Sequence, residues 1–291
     1  MRPSLIQSAQ DIAAADGVTA IGLGDAVLLR RDRPSAIEGA LYRPLLCLIL
    51  QGAKDVRSGT LSVHCPAGHA IIVSHDLPVL SRITQAAPDS PYLAFVLPID
   101  LGLLRGFYDR MPEFDDADEA VGALVSHAAE PDLLDAVGRF LAVARDEAAR
   151  PLLGPILLSE IHARLLVSRQ GAILRRFLRR DDPSNHLARA ISAIRGSLDQ
   201  PLSVGTLAER AGMSKSTFHA HFKAVTGLTP GQYQKDMRLL EAYRLIRDSN
   251  RSISAVAFDV GYESPAQFSR DYSRKFGLPP RAERARGRRA A

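Results

Sequence analysis

Leu207-Ala208 … Ala211-Gly212-Met213-Ser214 … Phe218 … Phe222-Lys223 … Gly227-Leu228-Thr229-Pro230 and Val256-Ala257 … Val260-Gly261-Tyr262-Glu263-Ser264 … Phe268 … Tyr272 … Gly277-Leu278-Pro279-Pro280 are two copies of one pattern. The offset is 49 residues from Gly212 to Gly261 and 50 from Phe218 to Phe268, so a single residue is inserted in the turn. Each copy offers a short apolar helix, a glycine where the chain must turn at positive φ, a serine able to cap, and a second helix. A duplicated helix-turn-helix serves to read two stretches of major groove.

Helical geometry then divides the residues. In a helix capped by Ser214, Phe218, Phe222 and Val225 fall within a stripe of about 60° and face inward. Ser216, Ala220 and Lys223 point the other way, with Thr217 and His219 on the flanks. In the second copy Phe268 and Tyr272 face inward; Ala266, Arg270 and Ser273 face out, Pro265 opens the helix, and Gln267 lies on a flank. Arg270 suits a guanine edge, Gln267 an adenine edge and Ala220 or Ala266 a thymine methyl, while Lys215 and Lys223 suit phosphate. His219 and His221 lie about 160° apart around the helix, so the pair cannot share a metal. Between the copies, a helix opened by Pro230 and ending near Asp248 would form a strut of roughly 27 Å, comparable with the ~34 Å of one DNA turn.

Charge supports double-stranded DNA as the partner. Leu187–Ala291 carries 18 Lys/Arg against 9 Asp/Glu, a net +9, whereas residues 1–186 carry 19 against 23, a net −4. The 291 residues are 46% apolar and 24% charged, an ordinary globular composition long enough for two cores. The apolar runs are too short to span a bilayer and the first residues lack the pattern of a secretory signal, so a cytoplasmic protein is expected. Cys47 and Cys65 alone exclude a four-cysteine zinc site and argue against a disulfide framework.

Ahead of the repeat, the texture changes twice. From Val18 to Pro98, short Val/Ile/Leu runs alternate with Gly, Pro, Asp and Ser clusters, which predicts a small antiparallel barrel or sandwich. From Leu101 the period becomes helical, with stripes through Leu133–Leu141 and Leu157–Leu166 that would close the barrel or form a dimer seam. Arg175–Ser184 reads as a linker and Arg281–Ala291 as a frayed basic end. The expected organisation is α+β: an effector-binding and dimerisation domain at 1–180 (barrel about 18–98, helices about 101–180), then a DNA-binding domain at 185–286 with motifs at about 204–225 and 253–276.

With these residues in place, Asn185–Arg284 resembles the AraC/XylS family of transcription regulators, through Leu207–Ser214, Phe218, Phe222-Lys223, Gly227–Pro230, Tyr233, Arg238–Ala242, Ile253, Val256-Ala257, Val260–Pro265, Phe268–Arg270, Phe276-Gly277 and Pro280. The resemblance implies recognition residues at Ser216, His219 and Ala220 and at Pro265, Ala266, Gln267 and Arg270. The chain departs from the family at Glu283-Arg284, where a tyrosine-arginine pair is usual. Through Arg43–Lys54 the front half resembles an AraC-type effector domain, which implies a cupin-like barrel, a small-molecule effector, a helical surface for a homodimer, and RNA polymerase as a partner if the protein is an activator. Cys47 lies in that segment and is the candidate sensor residue, although a buried strand cysteine is the commoner use. His64, His69 and His75 lack the spacing of a cupin metal site, so no metal or other cofactor is expected. An enzyme on the barrel tethered to DNA would need a metal or a nucleophile-base set, neither of which is visible. A constitutive regulator, or an architectural protein, would leave the barrel idle.

Overall fold

The computed structural model describes residues 3–112, 114, 122–179 and 182–290. In chain order the elements are α1 (Pro3–Ile12), β1 (Gly17–Ala20), β2 (Val27–Arg31), β3 (Glu38–Tyr42), β4 (Leu45–Gln51), β5 (Ala53–Ser58), β6 (Leu61–Pro66), β7 (His69–Val73), β8 (Leu77–Gln85), β9 (Tyr92–Pro98), α2 (Leu101–Tyr108) and β10 (Leu124–Ala128). Then follow α3 (Pro131–Ala144), α4 (Arg150–Val167), α5 (Ala172–Leu178), α6 (Pro183–Gly196), α7 (Val204–Arg210), α8 (Lys215–Thr226), α9 (Pro230–Asp248), α10 (Ile253–Asp259), α11 (Pro265–Phe276) and α12 (Pro280–Ala290).

The strands form two antiparallel sheets, β1-β2-β9-β4-β7-β10 and β3-β8-β5-β6. The period of 2 in β4 and β9 sorts their side chains cleanly. Leu46, Leu48, Leu50, Leu93, Phe95 and Leu97 join a cluster with α1, α3, α4 and α5, whereas Cys47, Ile49, Tyr92 and Ala94 join the interior shared with Val56, Cys65, Leu77 and Val79. That is why β4 reads as an unbroken apolar run: both of its faces are covered. The helical stripes of α3 and α4 therefore close over the six-stranded sheet.

The barrel interior runs without a break into the helical part. The cluster that holds Cys47, Val56 and Tyr92 also holds Leu187, Ile191, Phe218, Phe222 and Tyr233. Residues of the second motif form their own cluster with Leu240 and Tyr243 of α9, and Leu80 of β8 packs on it.

Two expectations are corrected. Arg175–Leu178 is not linker but the second half of α5: Arg175 is buried, donates to the carbonyls of Leu166 (2.6 Å) and Ser168 (2.8 Å), and stacks over Phe114. Of the expected linker, Arg180 and Asp181 lie outside the described residues. The C-terminal stretch is not frayed through Ala290 but forms α12, because Pro280 opens a helix whose Glu283, 1% exposed, meets Arg247 (3.7 Å) and Arg286 (3.0 Å). An acid against two arginines accounts for the departure at position 283. Ala291 lies outside the described residues.

His75 joins the two parts. It is buried, edge-on to Phe177, with Nε2 2.9 Å from the Ser184 carbonyl and Nδ1 2.9 Å from Ser74 Oγ. The carbonyl demands a proton on Nε2, and Nδ1 then accepts from the serine, so the ring is held neutral. Burial pushes its pKa down to about 4. The unfolded chain takes up this proton below about pH 6.5, so stability is complete above that pH and falls between 6.5 and 4, by about 3 kcal/mol. Urea titrations of wild type and His75→Gln across this window are expected to show a flatter pH dependence in the variant.

Candidate nucleic-acid interface

Each recognition helix is built by the same local devices. Ser214 accepts from the Thr217 amide and Ser264 from the Gln267 amide, and each helix ends on a left-handed glycine, Gly227 (φ 75°) or Gly277 (φ 76°). Phe218, Phe222 and Val225 of α8, and Phe268, Tyr272 and Phe276 of α11, are buried. The inserted residue lies in the turn, since α8 begins three residues after Gly212 and α11 four after Gly261.

The expected contact residues fall on open faces. Lys215, Ser216, Thr217, His219, Ala220 and Lys223 of α8 are exposed, as are Ala266, Gln267 and Arg270 of α11, while Pro265 at the start of α11 is half-buried. Ser216 and Thr217 have a prior engagement: Ser214 Oγ lies 3.0 Å from Ser216 Oγ and 2.8 Å from Thr217 Oγ1. Their hydroxyls help hold the cap, which leaves His219, Ala220 and Lys223 as the free edge of α8.

The strut α9 has a capping box in which Thr229 and Gln232 satisfy each other's amides, and its 19 residues span roughly 28 Å. Arg238 locks the strut to both motifs' surroundings: Nε donates to the Leu198 carbonyl (2.5 Å), Nη1 to Gly261 (2.9 Å) and Nη2 to Gln200 (3.2 Å). The separation of the two recognition helices is thus fixed by a guanidinium as well as by helix length.

Sequence reasoning missed the contacts that tie the barrel to this apparatus. The turn between β5 and β6 caps the C-terminal end of α8. The Thr60 amide donates to the Gly227 carbonyl (3.0 Å), the Ala123 amide to Val225 (2.7 Å) and Ser58 Oγ to Thr226 (3.4 Å), so carbonyls left open by the helix end are met by barrel donors. Tyr233 Oη donates to the Asp76 carbonyl (2.7 Å), and Arg195 of α6 pairs with the Asp76 carboxylate. At the other end of the sheet, a Cβ on Gly39 would meet Phe276 and Leu240 at 2.6 and 2.7 Å. One sheet therefore touches the C-terminal ends of both recognition helices. Gly59 was legible as a turn residue, but nothing in turn chemistry names its distant partner.

Inside the barrel, Cys47 is 1% exposed and its Sγ lies 3.4 Å from Lys54 Nζ, which also donates to Tyr42 Oη at 3.1 Å. Burial pushes the Cys65 thiol up to about 11. Among the described residues, no three His, Cys, Asp or Glu side chains are grouped to hold a metal ion, and no helix is long and apolar enough to cross a membrane.

Residues 24–173, just over half of the chain, match the family profile described as the N-terminus of AraC-type transcriptional regulators. This chain belongs to the AraC-type transcriptional regulators. A helix-turn-helix domain profile matches residues 207–286 of this AraC-type regulator. The chain is 27% identical over 192 residues to the HTH-type transcriptional regulator ExsA of Pseudomonas aeruginosa, covering 65% of this chain and 68% of that protein. It is 39% identical over 83 residues to the regulatory protein SoxS of Salmonella typhimurium, covering 28% of this chain and 78% of that protein. Against the HTH-type transcriptional activator RhaS of Escherichia fergusonii it is 32% identical over 117 residues, covering 40% of this chain and 41% of that protein. Its fold is similar to that of ToxT from Vibrio cholerae, with a TM-score of 0.54 at 10% identity over 93% of this chain and 98% of that chain. A second ToxT structure, covering 88% of this chain and 94% of that chain at a TM-score of 0.54, is described as unsaturated fatty acid bound.

The opposed glycines give a direct test of the barrel contact. Gly59 has φ 54° and a Cβ there would stand 2.2 Å from the Gly227 carbonyl oxygen; a Cβ on Gly227 would stand 2.5 Å from the Ser58 carbonyl. Gly59→Val is expected to cost about 1–3 kcal/mol. In calorimetry the variant should show a lower melting temperature, and tryptic cleavage after Arg179 should be faster, whereas Gly68→Val, strained by a similar left-handed backbone (φ 88°) but with open space around it, should lower the melting temperature without changing the cleavage rate.

Proposed function

We propose that this regulator reads DNA through Lys215, Ser216, Thr217, His219, Ala220 and Lys223 of α8 and Pro265, Ala266, Gln267 and Arg270 of α11, under the control of a small-molecule effector. The observation that carries this reading is the pair of capped, exposed helices held apart by one strut of roughly 28 Å, close to one turn of DNA. Residues 1–180 serve as the effector-binding and dimerisation domain and 185–286 as the DNA-binding domain. The protein works in the cytoplasm and binds without catalysing. If it activates transcription, RNA polymerase is a further partner.

The route of control follows the contacts. No residue of either motif belongs to the cluster that α3 and α4 form with the six-stranded sheet, so repacking of those helices through a linker is the weaker route. The four-stranded sheet, which caps α8 and abuts α9 and the end of α11, is the shorter one. Cys47, enclosed beside Lys54, serves as a barrel-lining residue, and Cys47→Ser is expected to leave the effector response intact.

The dimer surface is α4. Leu152 (72% exposed), Ile156 (62%) and Val167 (53%) recur along one face of the helix, with Leu153 beside them. Apolar side chains in such a row mark an interaction site. Ile156→Glu is expected to shift the sedimentation coefficient to that of a monomer and leave the melting temperature within a few degrees of wild type; unchanged association would remove α4 from the dimer.

DNA reading is tested by affinity for the intergenic DNA beside the protein's own coding region, at two salt concentrations. Arg270→Ala is expected to weaken specific binding by about 1–3 kcal/mol, roughly fivefold to 150-fold, with little effect on random DNA. Lys223→Ala is expected to weaken both and to lower the salt dependence. Equal loss on specific and random DNA in Arg270→Ala would mean that this arginine grips phosphate only.

A further inference from the structure

A cavity of about 310 Å³ lies where the four-stranded sheet, the strut and the second recognition helix meet. Its charged lining consists of Arg57 from β5, Lys235 and Asp236 from α9, and Asp271, Arg274 and Lys275 from α11. Leu80, Leu228 and Leu239 supply an apolar floor. Four cations face two carboxylates, so the lining carries a net charge of +2.

Neither carboxylate is spare. Asp271, 5% exposed, takes Lys235 at 2.7 Å on one oxygen and Arg274 on the other. Burial works against its charge, yet these two partners hold its carboxyl below the usual range. Asp236 takes Lys275 at 2.7 Å. Lys275 is itself largely enclosed, with 10% of its side chain exposed, and burial pushes its pKa down while Arg57, arriving from the barrel, adds like-charge repulsion. An ordinary ion-pair seam would match its charges one for one. Here the two parts of the molecule meet across an unmatched pair of cations, in a cleft with room for a ligand.

We propose that this cavity is an effector site for a compact organic dianion, a phosphate monoester or a dicarboxylate, held by Arg57 on the barrel side and by Lys235, Arg274 and Lys275 on the other. The proposal rests on the effector-controlled reading above and moves the effector from the barrel interior to the junction. A dianion balances the excess charge, and Arg57 and Arg274 offer the planar forks that suit carboxylate and phosphate oxygens. Arg274 and Lys275 stand four and five residues after Arg270 on the same helix. Drawing them toward Arg57 closes the junction and changes the tilt of the helix that carries Arg270, which gives the ligand different affinities for free and DNA-bound states.

The test uses the full chain, titrated calorimetrically with inorganic phosphate and, separately, with succinate, against chloride at matched ionic strength. Saturable binding of phosphate alone assigns the phosphate class, of succinate alone the dicarboxylate class, and of both the shared dianion chemistry. Arg57→Gln, an exposed change outside the expected DNA face, should weaken that binding at least about tenfold, while Arg33→Gln, at an exposed cation that neither lines the cavity nor belongs to the expected DNA face, should leave it unchanged. Absence of saturable binding, or binding that survives Arg57→Gln or disappears in Arg33→Gln, would overturn the proposal. DNA affinity measured on the same samples keeps the two readings apart, because specific binding that persists when neither anion binds refutes the site without refuting the regulator.

Discussion

The backbone of the β5–β6 turn approaches the end of the first recognition helix so closely that neither chain has room for a side chain. Gly59 and Gly227, both at positive φ, face each other, and the carbonyls of Val225, Thr226 and Gly227 accept from barrel donors. A helix end normally leaves its last carbonyls to solvent or to its own C-cap. Here part of that capping comes from another part of the molecule, which makes the recognition helix and the barrel mechanically continuous. The remaining junction contacts reinforce this one: Tyr233 and Arg195 on Asp76, His75 on Ser184, and Gly39 against Leu240 and Phe276.

The consequence for function is a matter of leverage. Two recognition helices read DNA together only if their separation matches the groove repeat. Arg238 and the strut set that separation within the helical part, and the four-stranded sheet contacts the rear of both helices while leaving their expected reading faces open. Docking of the barrel does not block DNA by covering those faces. On the proposed route of control, its influence lies in holding the helices at one spacing and tilt, which a ligand would favour or oppose.

Much of this was legible in the sequence for local reasons. Serine caps, left-handed glycines and phenylalanines at helical spacing are determined within one turn of helix, so the capped helices α8 and α11 and the strut between them could be read from local sequence. The short apolar runs between Val18 and Pro98 became strands, but β10 was missed because it lies beyond Leu101, where the period of the sequence had turned helical. Arg175 was read as linker because an arginine among charges looks solvated; only the tertiary structure supplies the two carbonyls and the ring of Phe114 that bury it. The junction was invisible because its contacts join residues more than a hundred positions apart, and many of them end on a backbone carbonyl, which leaves no mark in sequence composition.

In the proposed mode of binding, one chain presents two recognition helices at a fixed spacing to successive major grooves. Hydroxyl-radical footprinting of the full chain on its specific DNA tests this most directly. Two protected segments about 10 base pairs apart on one face of the duplex are expected, with the segment over α11 lost in Arg270→Ala and the one over α8 kept. A single protected segment, or continuous protection that ignores sequence, would contradict it.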